Sequence, residues 1–222
     1  MRVLVTTLLA ALLLPAGASV GASAGPSAGA DGNDLREFRV GMSVSELPQH
    51  GYAAFHCAED PARTLSGWND WRSCPAGPAG LRTVGFRYEN MLGDGRPGKT
   101  QVAGQPVTLG LLIDDRATVA GIRIDTDPHS PLYLHKKAFL FGLQARARYG
   151  ADGWTCRSAP STTDEQPIGG VFVHEHCEKT TSSRHLVVER ELFHDPSKDL
   201  RDFTGATHFT IERPGLNLAG RE

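Results

Sequence analysis

The spacing of apolar and polar positions changes along this chain, and each change marks an element. Val84, Phe86 and Tyr88 alternate with Gly85, Arg87 and Glu89, the two-residue period of a half-buried strand. Val107, Leu109, Leu111 and Ile113 share one face of a further strand. Asp114 to Ala117 then turns the chain, and residues 119–126 return as its hairpin partner. Residues 52–57 form a short strand before a loop holding Trp68 and Trp71. Four more strands are predicted at 154–157, 171–179, 186–193 and 207–212, with polar linkers at 158–170 and 195–205. A helical period appears twice. Ser43 with Glu46 three residues on has the capping-box spacing, and Pro48 keeps the helix that follows short. Leu134, Ala138, Phe141 and Ala145 form the stripe of a longer helix. Ser130 caps it, Pro131 starts it, Arg146 and Arg148 complement its dipole, and Gly150 ends it.

Helices ahead of runs of antiparallel strands predict an α+β fold, with the helices packed on an antiparallel sheet. The order helix, cysteine-bearing strand and further strands occurs twice, which points to two tandem lobes, each with one disulfide. The boundaries read as a signal peptide over 1–24, a flexible leader over 25–34, lobes over 35–128 and 129–213, and a tail over 214–222.

The segment Phe38-Arg39-Val40-Gly41-Met42-Ser43-Val44-Ser45-Glu46-Leu47 resembles the opening motif of the outer-membrane assembly lipoprotein/β-lactamase-inhibitor-protein superfamily. That resemblance implies helices on one face of an antiparallel sheet, and in the inhibitor proteins two such units in tandem. It also implies a binding role rather than catalysis. The second half starts its helix with Ser130-Pro131-Leu132 and lacks the Gly-Met-Ser signature, and the lipoproteins' anchoring cysteine is absent. No binding residue carries over.

Charge and composition narrow the function. Met1-Arg2, the apolar run from Val3 to Leu14, the break at Pro15 and the small residues Ala22-Ser23-Ala24 predict a cleaved secretory signal. The run is shorter than the roughly 20 residues that span a bilayer, and nothing later is long and apolar enough to replace it. The remaining chain, about 185 residues, suffices for one domain or two small lobes. Losing Arg2 leaves 22 basic residues against 25 acidic ones, so the formal charge goes from −2 to −3. With no basic block, nucleic acid is not an expected partner. The four cysteines, Cys57, Cys74, Cys156 and Cys177, fit disulfides in an oxidising compartment. Three pairings are possible. The local one, Cys57–Cys74 with Cys156–Cys177, closes two loops of about 20 residues, each contributing ~3 kcal/mol in the chain-entropy view.

Some motifs mimic catalytic machinery. Gly93-Asp94-Gly95-Arg96-Pro97-Gly98-Lys99-Thr100 matches the phosphate-loop pattern literally, but such a loop must open a helix. Here Gly104 and Pro106 interrupt any helix before the strand at Val107, so a turn and no nucleotide are expected. Three Gly-x-Ser-x-Gly matches between Gly17 and Gly29 fall in the signal and leader, where no nucleophile elbow forms. In His174-Glu175-His176-Cys177-Glu178, alternate residues share a face, so His174, His176 and Glu178 point together. His208 and Glu212 on a later strand could join them as zinc or copper ligands. The competing reading is a solvated sheet face. Trp68 and Trp71 either contact a partner or pack over the neighbouring disulfide, and packing is the more common use.

The expectation is an exported, non-enzymatic envelope protein, periplasmic or secreted. It would bind another envelope or secreted protein as an assembly or inhibitor-like module, without a cofactor, a nucleotide or a membrane span. The alternative is a metal-binding protein built on the His-x-His strand.

Overall fold

The computed structural model describes residues 32–89 and 100–216. The expected signal, most of the leader, the three Gly-x-Ser-x-Gly matches, positions 93–99 of the phosphate-loop match and the last six residues lie outside them. The strands are β1 (Tyr52–Cys57), β2 (Asp60–Thr64), β3 (Arg82–Tyr88), β4 (Gln101–Val102) and β5 (Gln105–Ile113), then β6 (Val119–Thr126), β7 (Thr155–Ser158), β8 (Val173–Thr180), β9 (His185–His194) and β10 (Phe203–Glu212). They form a sheet in the order β2-β1-β3-β5-β6-β10-β9-β8-β7, with β4 off this path and paired to β5. Every pairing is antiparallel.

This overturns the expected fold class. Strand makes up 44% and helix 14%, so the protein is mostly antiparallel β rather than helices packed on a sheet. The two halves also do not stand apart as lobes, because β6 pairs with β10 over five residues and carries one sheet through both.

The helices fall short for identifiable reasons. After Ser43 the capping box forms, with the Ser43 amide donating to Glu46 and the Ser45 amide to the Ser43 hydroxyl. Only a three-residue 3-10 turn follows, Val44–Glu46, because Leu47 is already extended ahead of Pro48. The second helix divides into α1 (Leu132–His135) and α2 (Phe139–Arg148). Between them the amides of Lys137, Ala138, Leu140 and Phe141 bond three residues back. There the sheet takes up helix carbonyls: Thr207 donates its hydroxyl to Ala138 at 2.9 Å. A Cβ on Gly205 would lie 2.7 Å from the His135 carbonyl oxygen, so β10 and the helical segment meet backbone to backbone. Ser130 does not cap α1. Pro131 does, and its carbonyl accepts from Leu134 and His135.

One face of the sheet is covered. Across the strands, Phe86, Leu109, Ile124, Phe209, Val188 and Cys177 are successive cross-strand partners, each no more than 4% exposed. At the β1–β3 end, Phe38, Tyr52, Trp68 and Phe86 form a cluster of tilted and edge-to-face rings. At the β9–β10 end, α2 supplies Phe141 and Ala145. Gly142 lets it sit close, since a Cβ there would meet the Arg190 side chain at 2.3 Å. Both disulfides pair as the local reading favours, Cys57–Cys74 and Cys156–Cys177, and no cysteine is free.

Candidate functional site

The opposite face carries different chemistry. Its central row runs Asp125, His208, Glu189, His176 and Arg157, one residue each from β6, β10, β9, β8 and β7, all direct cross-strand partners. Beside it lies the row Arg123, Thr210, Val187, Glu178 and Thr155, and beyond that Glu212, His185 and Thr180. The side chains of His208, Glu189 and Glu178 are 47%, 42% and 37% exposed, so solvent reaches this face. Among the described residues, Leu216 lies against Leu81, Leu112 and Ala120 at one corner, and Val187, His185 and Glu212 nearby are buried as well.

Histidines and carboxylates alternate across these rows. Asp125 Oδ1 sits 2.9 Å from His208 Nδ1. Glu189 Oε1 lies 3.0 Å from His176 Nδ1, and His176 Nε2 is 2.7 Å from Glu178 Oε1. The other Glu178 oxygen is 3.5 Å from His185 Nε2. His185 Nδ1 in turn bonds the fully buried Glu212 at 2.7 Å. The hydrogen bond from His176 holds the Glu178 carboxyl below the usual carboxylate range, and His185 adds to this. The hydrogen bond to Asp125 raises His208 above the ordinary histidine value, with Glu191 and Glu189 adding to the field that favours its proton.

The ligand set read from the sequence is only partly assembled. His174, His176 and Glu178 share the face as their spacing requires, and Cys177 points into the core. His208 does not converge with them. β9 lies between its strand and β8, so the backbones stand roughly 10 Å apart, and its ring is taken by Asp125. His174 stacks on Phe193, and its Nδ1 stands 3.6 Å from Glu165. His185 is the residue that joins His176 and Glu178, and it was not among the predicted ligands. A hairpin count was the missing signal: if residues 181–184 turn the chain so that Thr180 faces His185, every second residue of β9 faces Glu178 and His176.

Trp68 and Trp71 are 1% and 4% exposed, which removes them as a partner contact. They pack: Trp68 donates its indole N–H to the Pro48 carbonyl at 2.8 Å, and Arg72 lies over the Trp71 ring. Their 3-10 helix, Trp68–Ser73, leads straight into the bridged Cys74. Thr100, the described end of the phosphate-loop match, is buried and accepts a hydrogen bond from the Tyr88 amide. No described helix is long and apolar enough to cross a membrane.

On the covered side, a cavity of about 620 Å³ opens where the N-terminal segment, β4 and α2 meet over β6 and β10. Leu35, Val102, Ile124 and Phe141 line it, with Arg36 and Arg148 among the polar groups. It is a seam in the packing between the two halves. No family model, no curated protein and no solved structure matches this chain.

Proposed function

We propose that this is an exported, non-enzymatic binding module whose bare sheet face docks a protein partner through basic side chains of that partner. The observation that carries the reading is the part of the face around His208, Glu189 and Glu178, which is exposed among the described residues. There, side chains are fixed by hydrogen bonds yet reached by solvent. Four strands of eight to ten residues present on the order of 500 Å², near one side of a small specific interface. Its carboxylates, Asp125, Glu178, Glu189 and Glu191, outnumber Arg123 and Arg157, and Asp125, Glu191 and Glu189 raise the proton affinity of His208. A partner presenting lysine and arginine is the complementary choice. Two disulfides fit an oxidising, exported setting. The motif resemblance at 38–47 also favours binding. On the chemical side, the hydrogen bonds of His176, His185 and His208 go to carboxylates, and every cysteine is bridged.

The reading is tested with a photo-crosslinking residue placed at Thr210 on the bare face or at Leu140, exposed on α2, in cells exporting the protein. A partner is expected to be captured from Thr210, not from Leu140, and to be lost when Asp125→Lys and Glu191→Lys reverse the face. Capture from Leu140 alone would overturn the reading and move docking to the outer surface of α1 and α2, where Leu132, Tyr133 and Leu143 are exposed.

A further inference from the structure

We propose that the cavity of about 620 Å³ on the covered side binds a small anionic amphiphile, an aliphatic chain ending in a carboxylate. Its chain would lie on the apolar floor, and its carboxylate would be met by Arg36, Arg148 and Tyr88.

The first argument is the lining. Leu35 from the N-terminal segment, Ile124 from β6, Phe141 and Ala145 from α2 and Phe209 from β10 form the floor, each at most 6% exposed. Around them Arg36, Gln144 and Arg148 are exposed and polar. Small-molecule sites have volumes of about 300–1,000 Å³, with mostly apolar walls and a few placed polar groups. An apolar floor beneath a polar rim suits a ligand with one apolar end and one charged end.

The second argument is the sign of the charge. Asp34 also lines the cavity, but Arg184 Nε bonds both its oxygens at 2.8 and 2.9 Å, and the Val40 amide donates to one of them. Glu37, next to Arg36 in the chain, accepts from the Tyr52 hydroxyl. Among the described residues, neither Arg36 nor Arg148 forms an ion pair. Arg148 donates to the Asn33 carbonyl at 3.2 Å, and the Arg36 guanidinium lies over the Tyr88 ring, 4.3 Å from its centroid. The rim therefore keeps a surplus of positive charge, which an anionic head complements.

The third argument is a donor that lacks an acceptor. Tyr88 lines the same cavity, and its hydroxyl is buried with no hydrogen-bond partner. A buried polar group left unpaired costs free energy that a partner recovers. A carboxylate is an acceptor only, so it can take the Tyr88 hydroxyl and the Arg36 guanidinium together once the exposed Arg36 side chain shifts aside. Arg36 also holds φ at 48°, in the left-handed region that favours glycine. The turn from Leu35 to Phe38 thus keeps an arginine where glycine would be less strained, and such strain tends to gather at ligand sites.

The test titrates the disulfide-intact protein with sodium decanoate by calorimetry, below the concentration at which decanoate forms micelles. One saturable site per chain is expected. Decyltrimethylammonium, with the same chain and the opposite charge, should bind at least about tenfold more weakly. Arg36→Gln with Arg148→Gln should weaken decanoate at least about tenfold, and Tyr88→Phe about three- to tenfold. Tyr88→Phe should not lower the melting temperature of the ligand-free protein, because its hydroxyl has no partner to lose. Val102→Trp, which fills the cavity from β4, should abolish binding. If that variant does not fold, the cationic amphiphile and the double arginine variant decide. Arg116→Gln, an exposed arginine outside the cavity, should change nothing. No saturable decanoate binding would overturn the proposal, as would equal binding of the cationic amphiphile. So would affinity unchanged in the double arginine variant or in Tyr88→Phe, or lost in Arg116→Gln. Asp125→Lys with Glu191→Lys, which removes docking on the opposite face, should leave decanoate binding intact, so the two readings fail separately.

Discussion

Along β9, Leu186 and Val188 point into the covered side, while His185, Glu189 and Glu191 alternate with them onto the bare side. The same strand thus contributes to two surfaces with different partners. Its covered side chains meet Phe209 and Ile211 on β10 and Cys177 on β8. Its bare side chains meet His208, His176 and Glu178. Apolar area removed from water stabilises by about 25 cal/mol per Å², whereas partly exposed ion pairs are worth about 0–1 kcal/mol each. The fold therefore rests on one face. Alternation every second residue lets the other face vary in chemistry at small cost to folding.

Trp68→Ala should separate the two faces most. It empties a fully buried site among Phe38, Phe55 and Phe86 and removes the bond to Pro48, so urea unfolding should register a loss of about 3–5 kcal/mol. Arg184→Ala sharpens the comparison with a polar pair that is buried. Arg184 Nε bonds both oxygens of Asp34 at 2.8 and 2.9 Å, their side chains are 12% and 5% exposed, and Asp34 also accepts from the Val40 amide. Leaving that carboxylate unpaired should cost about 3 kcal/mol, in contrast to the partly exposed ion pairs of the bare face such as His208–Asp125. The smallest effect belongs to His208. Its pKa is raised in the folded state, so the Asp125 contact stabilises fully below the ordinary value of about 6.5 and fades as pH climbs through the raised one. The stability difference between the unmodified protein and His208→Gln should shrink over that rise. It should be small throughout, because the side chain is about half exposed.

Much of the sheet was legible in the period of two. Tyr52–Cys57 and Val119–Thr126 match the predicted bounds, because turns flank them. β2 was not visible: Asp60-Pro61-Ala62-Arg63-Thr64 is an edge strand with hardly any buried position, so no alternation marks it. The stripe Leu134–Ala138–Phe141–Ala145 identified the helical segment and its buried side, since the last three of these are at most 5% exposed. It could not show the tightening around Lys137, which comes from contacts with Gly205 and Thr207 some 70 residues away. The two expected helices led to too high a helix content for the same reason: a capping box marks where a helix starts, not how far it runs. The candidate site was half legible. Alternation placed His174, His176 and Glu178 on one face, while strand order separated His208 from them and hairpin register brought in His185.

The central claim is that the bare face serves binding and the covered face holds the fold. The most direct measurement is urea unfolding at neutral pH of one variant carrying Asp125→Asn, Glu189→Gln, Glu191→Gln and His208→Gln together. These changes strip charge from the face and leave the core intact. The account predicts a stability within about 1 kcal/mol of the unmodified protein, since each exposed contact contributes little. A loss of about 3 kcal/mol or more, the size expected for a buried network, would contradict it and make the histidine–carboxylate rows part of what holds the sheet together.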